Sequence, residues 1–361
     1  MQVRACSQTN IDIDIDSTHV LSRGRCALKL NEVDQETGPQ EEILEPDLVI
    51  VDAHHHLWPS GYWIPYDLAA MNADLHRGHH ISATVFVECM TSFNSDPDPA
   101  LHPVGETEFV VSNAPAAGIG PSNTRVGAGI VGWANLMNPT EAARTLDAHV
   151  EAGQGRFRGV RFNVVWHDTH SAIAHAGRAT VSHMLLDDQY RAGLLEVARR
   201  DLSYDVWLYH PQLPELAETL DAVPGLTFVL NHLGGPVPNE ATPASRAAIF
   251  EDWRRGLREV AKRPNVVLKI GGIGMPIYGF GFTDATRPTS ATLAELWRPY
   301  IETAIGAFGP QRCMFESNFP IDKQSFSYDS LWNAFKLLTM GYTADERSML
   351  FSGTASRVYR L

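Results

Sequence analysis

The sequence is short of basic residues, and its few cysteines are scattered. Lys and Arg number 29 against 42 Asp and Glu, which gives a formal net charge of −13. A charge of this sign repels phosphate backbones and anionic membrane surfaces, so nucleic acid and membranes are not expected as partners. The four cysteines have no CxxC spacing and indicate neither a zinc knuckle nor a disulfide framework. We therefore expect a protein of the reducing cytoplasm.

Long apolar runs and the common cofactor motifs are also missing. No stretch approaches the roughly 20 apolar residues of a membrane span, and the N-terminal MQVRACSQTNIDIDID has no apolar core of a signal peptide. No GxGxxG follows a predicted strand, and neither a P-loop nor a GxSxG motif occurs. These absences predict a soluble protein and argue against a nucleotide cofactor or a serine nucleophile.

From residue 47 onward, short β-branched runs alternate with longer amphipathic stretches, which is typical of repeated strand–helix units in a parallel sheet. The predicted strands are 47–54, 83–89, 126–136, 159–165, 204–210, 226–232, 265–271 and 312–318. Eight parallel strands close a (β/α)₈ barrel. We predict an α/β fold: a TIM barrel over residues 48–361 with C-terminal helices, preceded by an N-terminal extension over residues 1–47. The polar composition of that extension leaves open whether it packs on the barrel or is a partly disordered tail.

Polar side chains stand at the ends of these strands, where such a barrel builds its active site. The first strand ends in His54-His55-His56, and alternation turns His54 and His56 to the same side. Two converging imidazoles suit zinc and similar divalent metals, and a catalytic site needs a third protein ligand. His210, at the end of the fifth strand, is the best candidate. A His-x-His pair alone is as easily a surface pair, but further histidines and carboxylates at other strand ends favour an active site.

Six motifs occur in order along the chain: VDAHHHLW, GVRFNV, YHP, VLNHLGGP, VVLKIGG and RCMFESNFPID. In this order and spacing they resemble the lactonase-like branch of the amidohydrolase superfamily, amidohydrolase family 2, over roughly residues 48–361. The resemblance implies a (β/α)₈ barrel that hydrolyses small lactones or related bonds and forms a homo-oligomer. It implies either one divalent metal ion, zinc or manganese, or operation without a metal. The wider family also includes non-oxidative decarboxylases.

By this resemblance His54, His56 and His210 match the metal-binding histidines, and His232 matches the sixth-strand histidine that often helps to activate water or substrate. Asn318 is a departure from the pattern, because family members usually have an Asp there as metal ligand or base. An amide cannot act as a general base. Part of the expected chemistry must therefore come from another residue.

Two glutamates are candidates to supply the missing carboxylate. Glu316 lies two positions before Asn318 and by strand alternation can share its face, and Glu88 ends the second predicted strand. We hypothesise that one of them takes over part of the missing role. The alternative is that Glu316 forms an ion pair with Arg161 or Lys269 inside the barrel.

Substrate contacts are predicted from cations and aromatic side chains near the strand ends. Arg161 and Lys269 can hold a substrate carboxylate, or they can simply neutralise the glutamates. Trp58 and Tyr278 lie on loops that shape the pocket, or they pack those loops. The loop 274–289, rich in Gly, Pro and aromatic residues, is long enough to act as a lid.

These expectations lead to a hydrolase that opens a lactone or similar cyclic ester of a small carboxylated molecule. Two other functions remain open: a non-oxidative decarboxylase of an aromatic or unsaturated acid, and a non-catalytic binding protein. Loss of the usual Asp at Asn318 favours the binding protein, whereas the retained strand-end histidines argue against it.

Overall fold

The computed structural model describes residues 41–62, 64–120, 122–167, 181–237, 243–279 and 287–361. Its eight strands pair in parallel, each with the next along the chain. They are β1 Ile50–His55, β2 Ile81–Val87, β3 Arg125–Gly132, β4 Phe157–Arg161, β5 Ser203–Val206, β6 Phe228–Leu230, β7 Val266–Ile270 and β8 Cys313–Phe315. The ring is completed between β8 and β1, where His56 N–H donates to Phe319 O at 2.8 Å and Asn318 N–H to His54 O at 2.9 Å. The predicted (β/α)₈ barrel is confirmed.

Helices fill the connections between the strands and follow the last one. In the described parts of the chain they are α1 Leu68–Leu75, α2 Val104–Asn113, α3 Pro139–Ala152, α4 Asp188–Ala198, α5 Leu213–Ala222, α6 Pro243–Val260, α7 Ser290–Phe308, α8 Tyr328–Leu338, α9 Ala344–Ser348 and α10 Thr354–Tyr359. Sequence signals set their ends: Asn138 caps α3 by accepting from Glu141 N–H at 3.2 Å. None of the helices in these segments is long and apolar enough to cross a membrane.

Several strands are shorter than predicted, and this changes the directions of the residues that follow them. β6 ends at Leu230 and β8 at Phe315, so His232 and Asn318 lie beyond the regular strands. Both residues have positive φ angles, 52° and 55°, which break an extended path. Glu316 and Asn318 both follow the end of β8, so strand alternation does not apply to them, and their shared face stays a prediction.

The apolar interior of the barrel supports the polar strand ends. Val51, Val229 and Met314, on three different strands, belong to one buried cluster, to which α10 contributes Val358 and Tyr359. A larger cluster fills the layer between the strands and the surrounding helices. The polar residues at the carboxyl ends of the strands consequently rest on a packed apolar floor.

Residues 41–48 lie against the C-terminal helices. Lys336 of α8 donates from Nζ to Leu44 O at 2.6 Å and to Glu45 O at 2.9 Å, and Glu41 accepts from Ser330 Oγ at 2.9 Å. Residues 1–40, most of the predicted extension, lie outside the described residues. The division at residues 47 and 48 stays a prediction.

Candidate active site

Glu316 lies between two histidines that come from different strand ends. Its Oε2 is 2.9 Å from His54 Nδ1, and its Oε1 is 2.7 Å from His232 Nδ1. His232 also donates its backbone N–H to Oε1 at 3.1 Å. All three side chains are buried. Since a carboxylate only accepts, the His232 ring carries its proton on Nδ1 and presents an unprotonated Nε2 on the opposite edge. His54 Nδ1 also lies 3.2 Å from Asn231 Nδ2.

The two cations named for the alternative ion pair with Glu316 have other partners. Arg161 Nε donates to Glu88 Oε1 at 2.7 Å, and Lys269 Nζ donates to Asp205 Oδ2 at 2.7 Å. The alternative pairing of Glu316 with a cation is therefore wrong, whereas the pairing of Arg161 with Glu88 is present. Both predicted carboxylates, Glu88 and Glu316, lie at the same end of the barrel as the histidines.

Arg161 also contacts His54, at the ring edge that carries Nε2. Its Nη1 is 3.3 Å from His54 Nε2, which makes that nitrogen an acceptor and agrees with a proton on Nδ1 facing Glu316. Burial lowers the pKa of His54 well below its usual value, and the Lys269 charge lowers it further. His54 is thus a neutral imidazole held from both edges.

The backbone fixes which nitrogen of His56 carries the proton, and it is Nδ1, as in His54. Its Nδ1 lies 2.8 Å from Val87 O and donates to it, so its Nε2 is unprotonated. The ring packs edge-on to His54, with centroids 4.9 Å apart, and is tilted against Trp58 at 5.4 Å. Burial lowers its pKa well below the usual value. The predicted convergence of His54 and His56 is present in the structure.

His210 is the predicted metal ligand that the structure does not bring to this group. It begins a short turn four residues after β5 ends at Val206, and its Nε2 lies 3.7 Å from Asp252 Oδ2 of α6. Burial lowers its pKa to about 4. The strand was predicted to run to residue 210; because it ends earlier, the side chain is directed toward α6.

Lys269 forms a fully buried ion pair inside the barrel. Lys269 and its partner Asp205 are both fully buried. Asp205 Oδ2 also accepts from Asn231 Nδ2 at 3.2 Å, and Tyr359 OH donates to the same carboxylate at 2.9 Å. The Lys269 charge is thereby compensated at a distance from any substrate, so its predicted contact with a substrate carboxylate stays a prediction without geometric support.

Asn318 and the predicted aromatic contacts lie around the histidine cluster. Asn318 Nδ2 donates to Asp322 Oδ1 at 2.8 Å. Tyr278 is fully buried and accepts from Trp207 Nε1 at 3.1 Å, while the Trp207 ring packs edge-on to His232 with centroids 5.9 Å apart. Of the predicted lid 274–289, residues 280–286 lie outside the described residues.

Sequence reasoning missed three buried carboxyl groups that support the site: Asp52, Asp205 and Asp322. Asp52 accepts the backbone N–H of His54 at 3.2 Å and of Ser317 at 2.9 Å, and burial raises its pKa to about 6. Each of the three stands within or just after an apolar run. An acidic residue in such a position was an available signal, because a carboxyl group is rarely buried without partners.

The donors of this cluster fit a divalent metal ion. Within the described segments, His54, His232 and Glu316 form one group whose possible ligand atoms lie within 4.8 Å of one another. Two imidazoles and one carboxylate are a common set for zinc and related ions in catalytic sites. The predicted set of His54, His56 and His210 shares only His54 with it.

Comparison with known proteins places the chain in a family. The family model described as amidohydrolase matches residues 51–361. The chain belongs to the amidohydrolase family. It is 34% identical over 328 residues to the uncharacterized protein y4mH of Sinorhizobium fredii, covering 87% of this chain and 99% of that protein.

Two further similarities concern proteins from Burkholderia multivorans. The chain is 27% identical over 329 residues to an L-fucono-1,5-lactonase, covering 86% of this chain and 96% of the lactonase. The chain also resembles the crystal structure of an amidohydrolase with bound HEPES, with a TM-score of 0.63 and 26% sequence identity. The match covers 87% of this chain and 99% of that protein. Together with the family match, these similarities show that the protein is an enzyme of the hydrolase type. They do not support the alternative of a non-catalytic binding protein.

Proposed function

We propose that this amidohydrolase opens a lactone or a similar cyclic ester of a small molecule by hydrolysis. The observation that carries the proposal is Glu316 between His54 and His232, at 2.9 and 2.7 Å. A carboxylate that orients a neutral histidine by its Nδ1 proton is a common arrangement for general-base catalysis. Similarity to an L-fucono-1,5-lactonase supports the same reaction class.

In this proposal His232 moves the proton. Its Nε2, unprotonated because Nδ1 donates to Glu316, takes a proton from the water that attacks the lactone carbonyl. The resulting imidazolium is stabilised by the Glu316 charge 2.7 Å away. His232 then returns the proton to the ring oxygen as the C–O bond breaks, leaving a hydroxy acid.

Arg161 is suited to polarise the carbonyl. A guanidinium has five N–H donors, and the bonds to Glu88 and His54 use three of them. The remaining donors can face an oxyanion, where a preoriented cation stabilises developing charge. Because its charge is compensated by Glu88, the expected use of Arg161 as an anchor for a substrate carboxylate stays a prediction.

A divalent ion, zinc or manganese, would be held by His54, His232 and Glu316. When bound, such an ion supplies Lewis-acid polarisation of the substrate carbonyl. Occupation of His232 by an ion and its use as a base exclude one another, so metal content decides between them. If turnover is unchanged after chelation and verified metal removal, Arg161 polarises the substrate carbonyl. If turnover is lost and is restored by zinc or manganese, the ion polarises it.

The reaction class is tested with purified protein and two panels of compounds. Sugar and aliphatic lactones, beginning with L-fucono-1,5-lactone, are assayed by release of one equivalent of acid, and aromatic and unsaturated acids by release of CO₂. We expect acid release from at least one lactone, abolished in His232→Ala. Release of CO₂ without lactone turnover would overturn the proposal in favour of the decarboxylase.

A further inference from the structure

Asp322 joins two loops that meet beside the histidine cluster. Its Oδ1 accepts from Asn318 Nδ2 at 2.8 Å, and its Oδ2 accepts from Gly274 N–H at 2.9 Å. The first contact belongs to the loop after β8 and the second to the loop after β7. Asp322 is fully buried, and none of the steps assigned above uses it.

The polarity of these two bonds determines the orientation of the Asn318 amide. A backbone N–H can only donate, so Asp322 Oδ2 must accept. With Oδ1 also accepting, Asn318 turns its NH₂ group toward Asp322 and its carbonyl oxygen away from it. The backbone of Asn318 is itself fixed, because its N–H donates to His54 O at 2.9 Å.

Asp322 lies close to the groups that would act on substrate. Burial raises the pKa of the Asp322 carboxyl well above its usual value, while the hydrogen bonds from Gly274 and Asn318 lower it. Its partner Asn318 donates its backbone N–H to His54 O at 2.9 Å. Through the backbone bond of Asn318 to His54 and the bond of Asn318 to Asp322, both residues lie beside the histidine cluster.

We propose that Asp322 is a positioning residue that holds the Asn318 carbonyl oxygen as the acceptor for the attacking water. An amide cannot take the proton, but it can orient the water by accepting one of its two hydrogens while His232 removes the other. Asn318 thus supplies an acceptor at the position where the family usually has a carboxylate, and Asp322 fixes the direction of that acceptor through its bond to Asn318 Nδ2. This inference rests on the proposed hydrolysis.

The variant Asp322→Asn reverses the amide of Asn318. The oxygen of the substituted side chain must still accept from Gly274 N–H, so its NH₂ group faces position 318. Asn318 then has to present its oxygen to that group and its own NH₂ to the water. Substituting a donor for an acceptor in a buried site leaves an unmatched polar group. We expect kcat on the most active lactone of the panel to fall about 10- to 100-fold with little change in KM.

The exchange Asn318→Asp combined with Asp322→Asn restores the pairing. The carboxylate now at position 318 accepts from the amide now at position 322 with one oxygen and presents the other to water, so we expect kcat to recover to within about 5-fold of the original enzyme. The single variant Asn318→Asp places two carboxylates in contact and should be the least stable of the three. A double variant no more active than Asp322→Asn alone would overturn the proposal.

Ser325→Ala is the matched control for loosening of the loop. Ser325 Oγ donates to Gly274 O at 2.6 Å, so this variant weakens the same loop base without touching Asn318. We expect its kcat to stay within about 2-fold of the original; a loss equal to that of Asp322→Asn would assign Asp322 a structural role only. Urea unfolding of the exchange series measures the coupling of positions 318 and 322 without any substrate, so failure of the pairing is distinguished from failure of the lactonase proposal.

Discussion

Replacing Glu316 with glutamine removes one negative charge from between His54 and His232 while the side chain keeps its size. Oε1 accepts two N–H groups of His232, so the glutamine oxygen takes that position and its NH₂ group faces His54 Nδ1, which is 2.9 Å from the present Oε2. Two donors then meet. If His54 moves its proton to Nε2, that proton meets Arg161 Nη1, now 3.3 Å away.

The expected loss follows from this conflict and from the missing charge beside the His232 imidazolium. Amide replacement of a carboxylate that orients a catalytic histidine costs about 10⁴ in kcat in the serine protease example, or about 5 kcal/mol of transition-state stabilisation. We expect kcat for lactone hydrolysis to fall about 10³- to 10⁴-fold in Glu316→Gln. The control Glu302→Gln, an exposed residue of α7 paired with Arg298, should retain full activity. If Glu316→Gln is folded by circular dichroism and retains more than about a tenth of kcat, the assigned role of Glu316 is wrong.

Two further predictions concern the backbone and the buried histidines. At Gly272, which has a φ of 66°, an added Cβ would lie 2.0 Å from His232 Nδ1, so Gly272→Ala should displace the base and abolish turnover. The control Gly225→Ala, where an added Cβ has nothing within 4 Å, should keep its activity. Equal activity of the two variants would contradict the site geometry. Burial lowers the pKa of His55 to about 3 and that of His149 to about 4, below the value of about 6.5 for the unfolded chain. Because the unfolded chain then binds more protons, stability should be lost as the pH falls from about 6.5 toward 4, and a thermal midpoint that is constant between about pH 7 and 5 would refute this.

Much of the site could be predicted because it depends on strand ends. His54 and His56 are two residues apart at the end of one strand, so their convergence follows from the geometry of an extended chain. Glu316 could be identified because it is a carboxylate two positions before Asn318, within the predicted strand 312–318. In each case a local pattern was sufficient, since the barrel brings all strand ends to one face.

The remaining contacts depend on where the chain leaves the strands. His210 was expected in the metal site, but β5 ends at Val206 and the turn that follows directs the ring toward Asp252. The bond between Asn318 and Asp322 requires the positive φ of Asn318. Side-chain alternation does not extend past such residues, so sequence periodicity could not predict which carboxyl group meets which amide.

The three central histidines share one hydrogen-bond polarity, which suits water activation directly. An ion held by His54, His232 and Glu316 together requires the Nδ1 nitrogens that face Glu316 to lose their protons. His56 donates from Nδ1 to Val87 O and His232 donates from Nδ1 to Glu316. The Arg161 guanidinium faces His54 Nε2 and leaves the proton of that ring on Nδ1, 2.9 Å from Glu316. Each ring then presents an unprotonated Nε2, and burial lowers the pKa of His54 and His56 so that both stay neutral. An unprotonated nitrogen of this kind can bind an ion, accept from water or accept from a cationic side chain. At His54 that acceptor already faces Arg161, so an ion bound through this nitrogen must displace the guanidinium, whereas water activation by His232 requires no such change.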